Sequence, residues 1–229
     1  MKKIATYVVL ALVSLLTLAP VIWTVLSSMR PPSESLSTDG SLIPSSLDFS
    51  SYPAVFEKVD MWLLILNSVL VTGIIAVGQM LSSAMAGYVF ARFEFRSKNL
   101  LFALILATMM VPMQVTIVPV FMLIRGMNLA DTLLALILPA IPTAFGTFLM
   151  RQYFMGLPAE LGEASEIDGA TPWRTFASIY APLATPGMAI VGILAFNFHW
   201  NEFFRPLILT ISEQNFTLPL GLVSLQGNM

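Results

Sequence analysis

Cysteine is absent from the 229-residue sequence, and histidine occurs once, as His199. Disulfides and thiolate metal sites are therefore excluded, and a single histidine cannot build a metal cluster, so we expect no metal and no other cofactor. Glycine-rich phosphate loops of the Walker type are also absent, which excludes nucleotide binding by that route. The 11 basic residues form no basic stripe, so nucleic acid is not an expected partner.

Charged residues make up only 10% of the chain, against about 25% in soluble domains, while 57% of residues are hydrophobic. A chain with a mean hydropathy of +0.83 needs the lipid bilayer as its solvent. A membrane-spanning helix takes about 20 apolar residues, and five stretches qualify: 4–27, 63–89, 100–124, 132–150 and 183–211. We therefore predict an all-α, polytopic transmembrane helical bundle formed by a single domain, 1–229.

The first apolar stretch, 4–27, has a rival interpretation as a signal peptide. It is longer than the apolar region of about 7–15 residues in signal peptides and lacks an Ala-x-Ala end, which favours an uncleaved span. With the N-terminus inside, seven Lys and Arg residues, Arg92 and Arg151 among them, lie on the inner side and four on the outer side. This bias predicts that the loop 151–182 is cytoplasmic and that the gap 28–62 is a small extracytoplasmic lid.

Prolines and polar side chains interrupt the later spans. Pro112 and Pro119 in the third span, and Pro139 and Pro142 in the fourth, predict bends, since the carbonyls that they free need neighbours or water. The His199-Trp200 pair is predicted to anchor at the membrane interface rather than to relay protons. Five polar residues are candidates for lining a translocation path, with hydrogen bonding between helices as the alternative: Asn67, Gln114, Asn197, Asn201 and Glu202.

The acidic loop 151–182 contains two predicted short helices. Pro158 suits the first position of the first helix, and Glu160 then lies in its first turn, where a carboxylate complements the free amides. Glu163 neighbours Glu160 on the helix surface, and Ala164-Ser165 keeps one side small enough for another surface to approach. The glycine of Asp168-Gly169-Ala170 suits the chain reversal that ends this helix.

The second predicted helix of the loop begins at Thr171-Pro172 and ends before Pro182. Trp173, Phe176 and Ile179 recur at helical spacing, which predicts an amphipathic helix that packs on the bundle. An arbitrary acidic loop is usually only solvated. Ordering two capped helices costs entropy unless something packs on them, so the pattern favours docking of a soluble partner.

The spacing within this loop resembles the Glu-Ala-Ala loop of the permease subunits of bacterial ABC importers. That pattern is Glu-Ala-Ala, three residues, Gly, nine residues, Ile, and then Leu-Pro. In this chain Glu163-Ala164-Ser165 is followed by Gly169 after three residues and by Ile179 after nine more. Ser165 replaces the second alanine, and Ala181 stands where leucine usually precedes Pro182.

The rest of the chain is similar to the sugar-importer branch of this family, and most similar to the smaller, maltose-type permease subunit. The matching segments are Asn67-Ser68, Pro112-Met113-Gln114-Val115, Met150-Arg151-Gln152, Trp200-Asn201-Glu202-Phe203 and Thr217-Leu218-Pro219-Leu220-Gly221. The resemblance implies the type I importer permease fold, which usually has six spans. The sequence accounts for five, so we expect the sixth, C-terminal span to be missing and the residues after 211 to form an extracytoplasmic tail. Either the chain is a fragment or its sequence ends early.

The resemblance implies a non-catalytic, multi-pass permease subunit in the bacterial inner membrane that belongs to an ATP-driven carbohydrate importer. Its partners would be a second permease, two ATP-binding subunits that hold the ATP, and a periplasmic solute-binding protein. The loop helix at 158–170 would couple to an ATPase, with Glu163 as the ionic contact and Ala164 and Ser165 as the close-packed apex. The implied coupling residues are Glu160, Glu163, Ala164, Ser165, Asp168, Gly169 and Ala170. A secondary transporter or a membrane scaffold subunit is the alternative function.

Overall fold

The computed structural model describes residues 2–31, 34 and 44–227, and the regular elements in these ranges are all helical. The predicted all-α class is therefore confirmed. The chain divides into two compact units, 1–61 and 62–229. A single domain over 1–229 stays a prediction.

The first unit contains a long helix, α1 (Lys2–Ser28), and a short helix, α2 (Ser51–Lys58). Large apolar side chains are exposed all along α1, and a helix that is apolar on every side is stable only in lipid. Its length and hydropathy are those of a membrane span, as predicted for 4–27. The Ser28 and Tyr52 hydroxyls lie 2.7 Å apart and connect the two helices. Residues 32–33 and 35–43 of the predicted lid lie outside the described residues.

The second unit is built on α3 (Met61–Arg92), a helix of 32 residues. The other helices are α4 (Lys98–Thr108), α5 (Met113–Gly126), α6 (Leu133–Ile137), α7 (Ala144–Met155), α8 (Glu160–Ile167), α9 (Pro172–Leu183), α10 (Thr185–Trp200), α11 (Phe204–Leu209) and α12 (Leu218–Gly227). A 3-10 turn (Leu138–Ala140) extends α6, and a π turn (Phe176–Tyr180) lies within α9.

The distribution of side chains on α3 differs from that in a water-soluble protein, since polar residues share its buried face with apolar ones. Its buried face carries Ser68, Thr72, Gln79 and Ser83, whereas many of its leucine, isoleucine and valine side chains are exposed. In lipid, small and polar residues hold helices together while apolar residues face the hydrocarbon. By length and composition, α1 and α3 can each cross a membrane, and three bent helix pairs raise the number of spans to as many as five.

Two of the five predicted spans, 100–124 and 132–150, are bent helix pairs rather than straight helices, and a third bent pair joins α9 to α10 at the start of the last predicted span. The pairs meet at 101° (α4 and α5), 41° (α6 with its 3-10 turn, and α7) and 73° (α9 and α10). Pro112 caps α5 with an extended backbone, and Pro142 lies in the break before α7, so these two prolines bend the chain as predicted. Pro119 lies inside α5 and does not end it. The helix of the last predicted span, 183–211, stops at Trp200 and resumes as α11.

Two apolar clusters lie along α3 on either side of Gln79. The first joins α3 to α5, α6 and α11: Val71, Ile75, Ile124, Ala135, Leu136, Ile137, Ala140 and Leu209. The second joins α3 to α7, α9 and α10: Ala84, Tyr88, Met150, Phe154, Phe176, Tyr180, Ala184 and Val191. Apolar contacts thus hold the other helices against α3 on both sides of its polar middle section.

The residues after 217 fold into α12, which packs on α3, while the extracytoplasmic location of this segment stays a prediction. The Leu218 amide donates to the Ser68 hydroxyl at 2.6 Å. A Cβ atom added to Gly221 would lie 2.4 Å from Leu64 Cδ1, so a larger residue there would force the Leu64 side chain to move, and glycine permits this close approach to α3. The resulting contact anchors α12 on the first turns of α3.

Candidate functional sites in the acidic loop and at the helix breaks

The acidic loop begins after Met155, because α7 continues through that residue rather than ending at 150 as predicted. Its first helix, α8, starts at Glu160 with Ala159 as the N-cap, so Pro158 lies just before the cap rather than at the first helical position. Glu160 and Glu163 occupy the first turn, where their carboxylates are close to amides that lack a helical partner.

A Schellman motif at Gly169 ends α8, as the sequence predicted. Gly169 has φ +75°, a left-handed conformation that only glycine adopts without strain. The Gly169 amide donates to the Glu166 oxygen and the Ala170 amide to the Ser165 oxygen, both at 3.0 Å. Asp168 is the C-cap. The reversal leads the chain directly into α9.

One side of α8 faces outward. Glu160, Glu163, Ala164 and Ile167 are exposed, and their helical spacing puts them on the same side. Ile167 is 87% exposed, which is unusual for a large apolar side chain in an ordered helix. Sequence reasoning missed Ile167, although its spacing of four from Glu163 is the signal that would have found it.

The opposite side of α8 packs on α9. Ser165 is buried, and its hydroxyl lies 2.7 Å from the Thr175 hydroxyl. A Cβ atom added to Gly162 would lie 2.9 Å from the Tyr180 hydroxyl oxygen, so α8 approaches α9 closely at that glycine. Ser165 therefore contacts this chain's own second loop helix, whereas the sequence suggested an apex open to another molecule.

The second loop helix, α9, begins at Thr171-Pro172 with the Thr171 side chain as its cap, as predicted. Phe176 and Tyr180 are buried, but Trp173 is 64% exposed, so only part of the predicted apolar stripe packs inward. The helix does not end before Pro182. A π turn precedes this proline and lets the helix accommodate a residue without an amide hydrogen, so α9 continues to Leu183.

A cavity of about 700 Å³ lies where the breaks between helices meet. Its walls come from the middle of α3, from the residues at the breaks within two of the bent pairs (α4 with α5, and α6 with α7), and from α10. The polar lining residues are Gln79, Thr108, Thr143, Asn197, His199 and Arg205. Phe145 and Phe198 add aromatic surface. Apolar cavities with a few convergent polar groups are the usual form of a ligand site, and discontinuous helices often form such sites in transporters.

A buried network of charged and polar groups borders this cavity. His199 Nδ1 lies 2.6 Å from Glu202 Oε2, and Arg205 Nε lies 3.2 Å from Glu202 Oε1. The Gln79 amide donates to the Ala140 oxygen at 2.8 Å and lies 3.2 Å from His199 Nε2. Because an amide nitrogen only donates, Nε2 is the acceptor and the ring proton is on Nδ1. The predicted interfacial anchor is therefore wrong, since His199 is a buried link between α3 and α10.

The five predicted path residues occupy different environments. Asn197 lines the cavity, and Glu202 belongs to the network beside it. Asn67 is buried and donates to two backbone oxygens of the segment before α12, at 2.9 and 3.0 Å. Asn201 donates to the Asn197 oxygen at 2.8 Å, and Gln114 is exposed in the first turn of α5. The structure thus brings one of the five residues, Asn197, to the cavity and a second, Glu202, to the network beside it.

Asp131, which no sequence pattern singled out, ties the loop between α5 and α6 to the segment after α11. Its carboxylate accepts from the Ser212 hydroxyl at 2.5 Å and from the Ile211 and Ser212 amides, both at 2.9 Å. Its own amide donates to the Leu209 oxygen at 3.0 Å. These donors, the Ser212 hydroxyl foremost, hold the pKa of Asp131 well below its usual range, so the carboxylate remains ionised at ordinary pH.

Bent helix pairs around a mainly apolar cavity with a few polar groups, with an ordered acidic loop at one end, are typical of a helical membrane transport subunit. Residues 80–226 match the family described as binding-protein-dependent transport system inner membrane component. The chain belongs to this family, and the predicted membership of the ABC importer permeases is confirmed.

Individual relatives agree with the family assignment. The arabinooligosaccharides transport system permease protein of Halalkalibacterium halodurans is 36% identical over 94% of this chain and 78% of its own. The trehalose transport system permease protein of Mycobacterium tuberculosis is 36% identical over 92% of this chain and 77% of its own. A crystal structure of a bacterial ABC transporter involved in the import of the acidic polysaccharide alginate has a TM-score of 0.83 and 25% identity, over 98% of this chain and 79% of that chain.

Proposed function

We propose that this chain is one of two permease subunits of a carbohydrate importer in the bacterial inner membrane, which it crosses several times. Two relatives named for arabinooligosaccharide and trehalose transport, and the alginate transporter of similar fold, support a carbohydrate as the substrate. The chain performs no catalysis of its own. A second permease, two ATP-binding subunits and a periplasmic solute-binding protein complete the importer.

The exposed side of α8 is the observation that carries this proposal. Glu160 and Glu163 border the small Ala164 and the exposed Ile167, while the buried side of the same helix is fixed to α9. Such a surface is complementary to an apolar recess with basic residues at its rim. An ATP-binding subunit with that recess would move α8 when ATP brings the two ATP-binding subunits together, and the attached spans would tilt with it.

The cavity at the helix breaks supports a sugar path. Amide, imidazole and guanidinium groups offer donors and acceptors to hydroxyl groups, through Gln79, Asn197, His199 and Arg205. Aromatic faces suit the C–H surfaces of sugar rings. A volume of about 700 Å³ also lies in the usual range of sites for small organic ligands.

Glu163→Lys tests the docking surface. The substitution reverses the charge at an exposed position, so the chain should still insert into the membrane, whereas a basic partner surface would meet a like charge. Such a contact costs several kcal/mol, and we expect the copurifying ATP-binding subunit to fall about tenfold or more. Glu57→Lys, at an exposed carboxylate of α2, is the matched control. Normal copurification and normal uptake by Glu163→Lys would reject the docking role.

A second pair of variants tests the cavity. Asn197→Ala removes an amide that lines the cavity, and Asn201→Ala removes an exposed amide one helical turn away. We expect the first variant to raise the KM for sugar uptake, with normal copurification of the ATP-binding subunit, and the second to leave KM unchanged. A KM for Asn197→Ala that is no higher than the KM for Asn201→Ala would place the sugar elsewhere.

A further inference from the structure

Two arginines cross between α3 and α7 where both helices end, beside the acidic loop. Arg92, the last residue of α3, donates from one guanidinium nitrogen to the backbone oxygens of Phe154 and Leu157, both at 2.6 Å. Arg151 of α7 donates from Nε to the backbone oxygen of Phe90, in the last turn of α3, at 3.1 Å. The C-terminal end of each helix thus receives an arginine from the other helix.

The placement of an arginine from each helix at the C-terminal end of the other has an electrostatic cause. The last carbonyls of a helix carry about half a negative charge, so two C-termini side by side repel each other. An arginine stays ionised and offers several fixed donors, which suits it to bridging such carbonyls. The helices are also in close contact, because a Cβ atom added to Gly87 would lie 2.6 Å from Met150 Cβ. Together the arginines and the close contact oppose sliding of α7 along α3.

The crossed arginines also contact the element that holds α8. The Arg92 guanidinium carbon lies 4.8 Å from the centre of the Tyr180 ring, a cation–π distance. Tyr180 is fully buried, and its hydroxyl oxygen abuts Gly162 of α8. A continuous series of contacts therefore leads from α8 through Tyr180 to Arg92, and from Arg92 to the ends of both spans.

We propose that Arg92 and Arg151 are positioning residues that make the ends of α3 and α7 a single rigid platform for α8. The platform transmits displacement of α8 to the spans instead of letting the loop move alone. The positive charges of the two arginines also favour the cytoplasmic side and so help to set the orientation of the chain in the membrane, but their contacts give them this second role. The coupling consequence rests on the proposed function, whereas the rigidity of the platform does not.

Distance measurements on the assembled importer test the platform. Since this chain has no cysteine, spin labels at Glu166→Cys on α8, outside the docking side, and Leu81→Cys on α3, both exposed, can be introduced in this chain alone. We expect the distance distribution between the labels to broaden in Arg92→Gln and in Arg151→Gln. Arg96→Gln, which changes an exposed arginine of the neighbouring loop, should leave it narrow.

A coupling measurement distinguishes this role from a purely structural one. In Arg92→Gln and Arg151→Gln we expect the ATP-binding subunit to copurify normally while the sugar imported per ATP hydrolysed falls about threefold or more. Unchanged distances and an unchanged sugar-to-ATP ratio in both variants would overturn the proposal. Failure of both variants to insert would also overturn it, by making these arginines folding residues. Absence of ATP-driven uptake in the unmodified importer would instead reject the proposed function, and the distances would still decide the platform.

Discussion

Asp131→Asn tests how one carboxylate holds two loops together. Asparagine tolerates the φ of +58° at this position, so the substitution removes the charge without straining the backbone. The Ile211 and Ser212 amides and the Ser212 hydroxyl all lose a charged acceptor. Charge-assisted hydrogen bonds are about twice as strong as neutral ones, so after allowance for solvent screening we expect a loss of about 1–2 kcal/mol in local stability.

Hydrogen exchange over the segment 208–216 measures this loss, because the two bonded amides exchange only when their contacts to Asp131 open. A loss of about 1.4 kcal/mol corresponds to tenfold faster exchange at neutral pH. Glu213→Gln, at an exposed position in the same segment, is the control. Unchanged exchange in Asp131→Asn, or the same acceleration in Glu213→Gln, would refute the reasoning.

The pH dependence of the same segment has a definite sign. The folded-state pKa of Asp131 lies below its unfolded value, so its stabilisation is complete above the ordinary pKa of about 3.9 and is lost as the pH falls below that value. We expect protection in the unmodified chain, corrected for intrinsic exchange rates, to stay constant through the mildly acidic range. Asp131→Asn should be insensitive to this titration.

Three further sets of substitutions test the fold, the loop and the topology. Gly87→Ala forces a Cβ atom into Met150, while Gly73→Ala enters open space, so size-exclusion chromatography should show loss of folded chain for the first variant only. Gly169→Ala strains a left-handed residue by about 1 kcal/mol and should reduce the amount of ATP-binding subunit that copurifies. Single cysteines replacing Ile167 and Glu213 report orientation: a membrane-impermeant thiol reagent on intact cells should label 213 and spare 167, and the opposite labelling would invert the predicted topology.

Local chemistry explains what the sequence predicted well. Pro112 and Pro142 mark helix breaks because a proline cannot donate to the preceding turn. Gly169 marks the end of α8 because a left-handed residue is needed there. The capping residues Thr171-Pro172 begin α9 for equally local reasons. Each of these features depends on a residue and its immediate neighbours along the chain.

Features that depend on distant partners were missed or misjudged. His199 meets Gln79, 120 residues away, and Arg92 meets Phe154, 62 residues away. Nothing in the spacing around His199 or Arg92 indicates those partners, so the sequence suggested an interfacial anchor and a topology charge. The sequence likewise predicts a small surface residue at Ser165, whereas in the structure Ser165 packs against Thr175. Gln79, an amide in the middle of an apolar span, was the available signal for a polar centre.

The central claim is that this chain carries a carbohydrate in a process driven by ATP through α8. The most direct test is uptake of labelled oligosaccharides by proteoliposomes that contain the complete importer and its solute-binding protein. We predict accumulation of a carbohydrate that requires ATP on the side of the ATP-binding subunits and that Glu163→Lys abolishes. Uptake driven by an ion gradient without ATP, or ATP-driven uptake that Glu163→Lys leaves intact, would contradict the account.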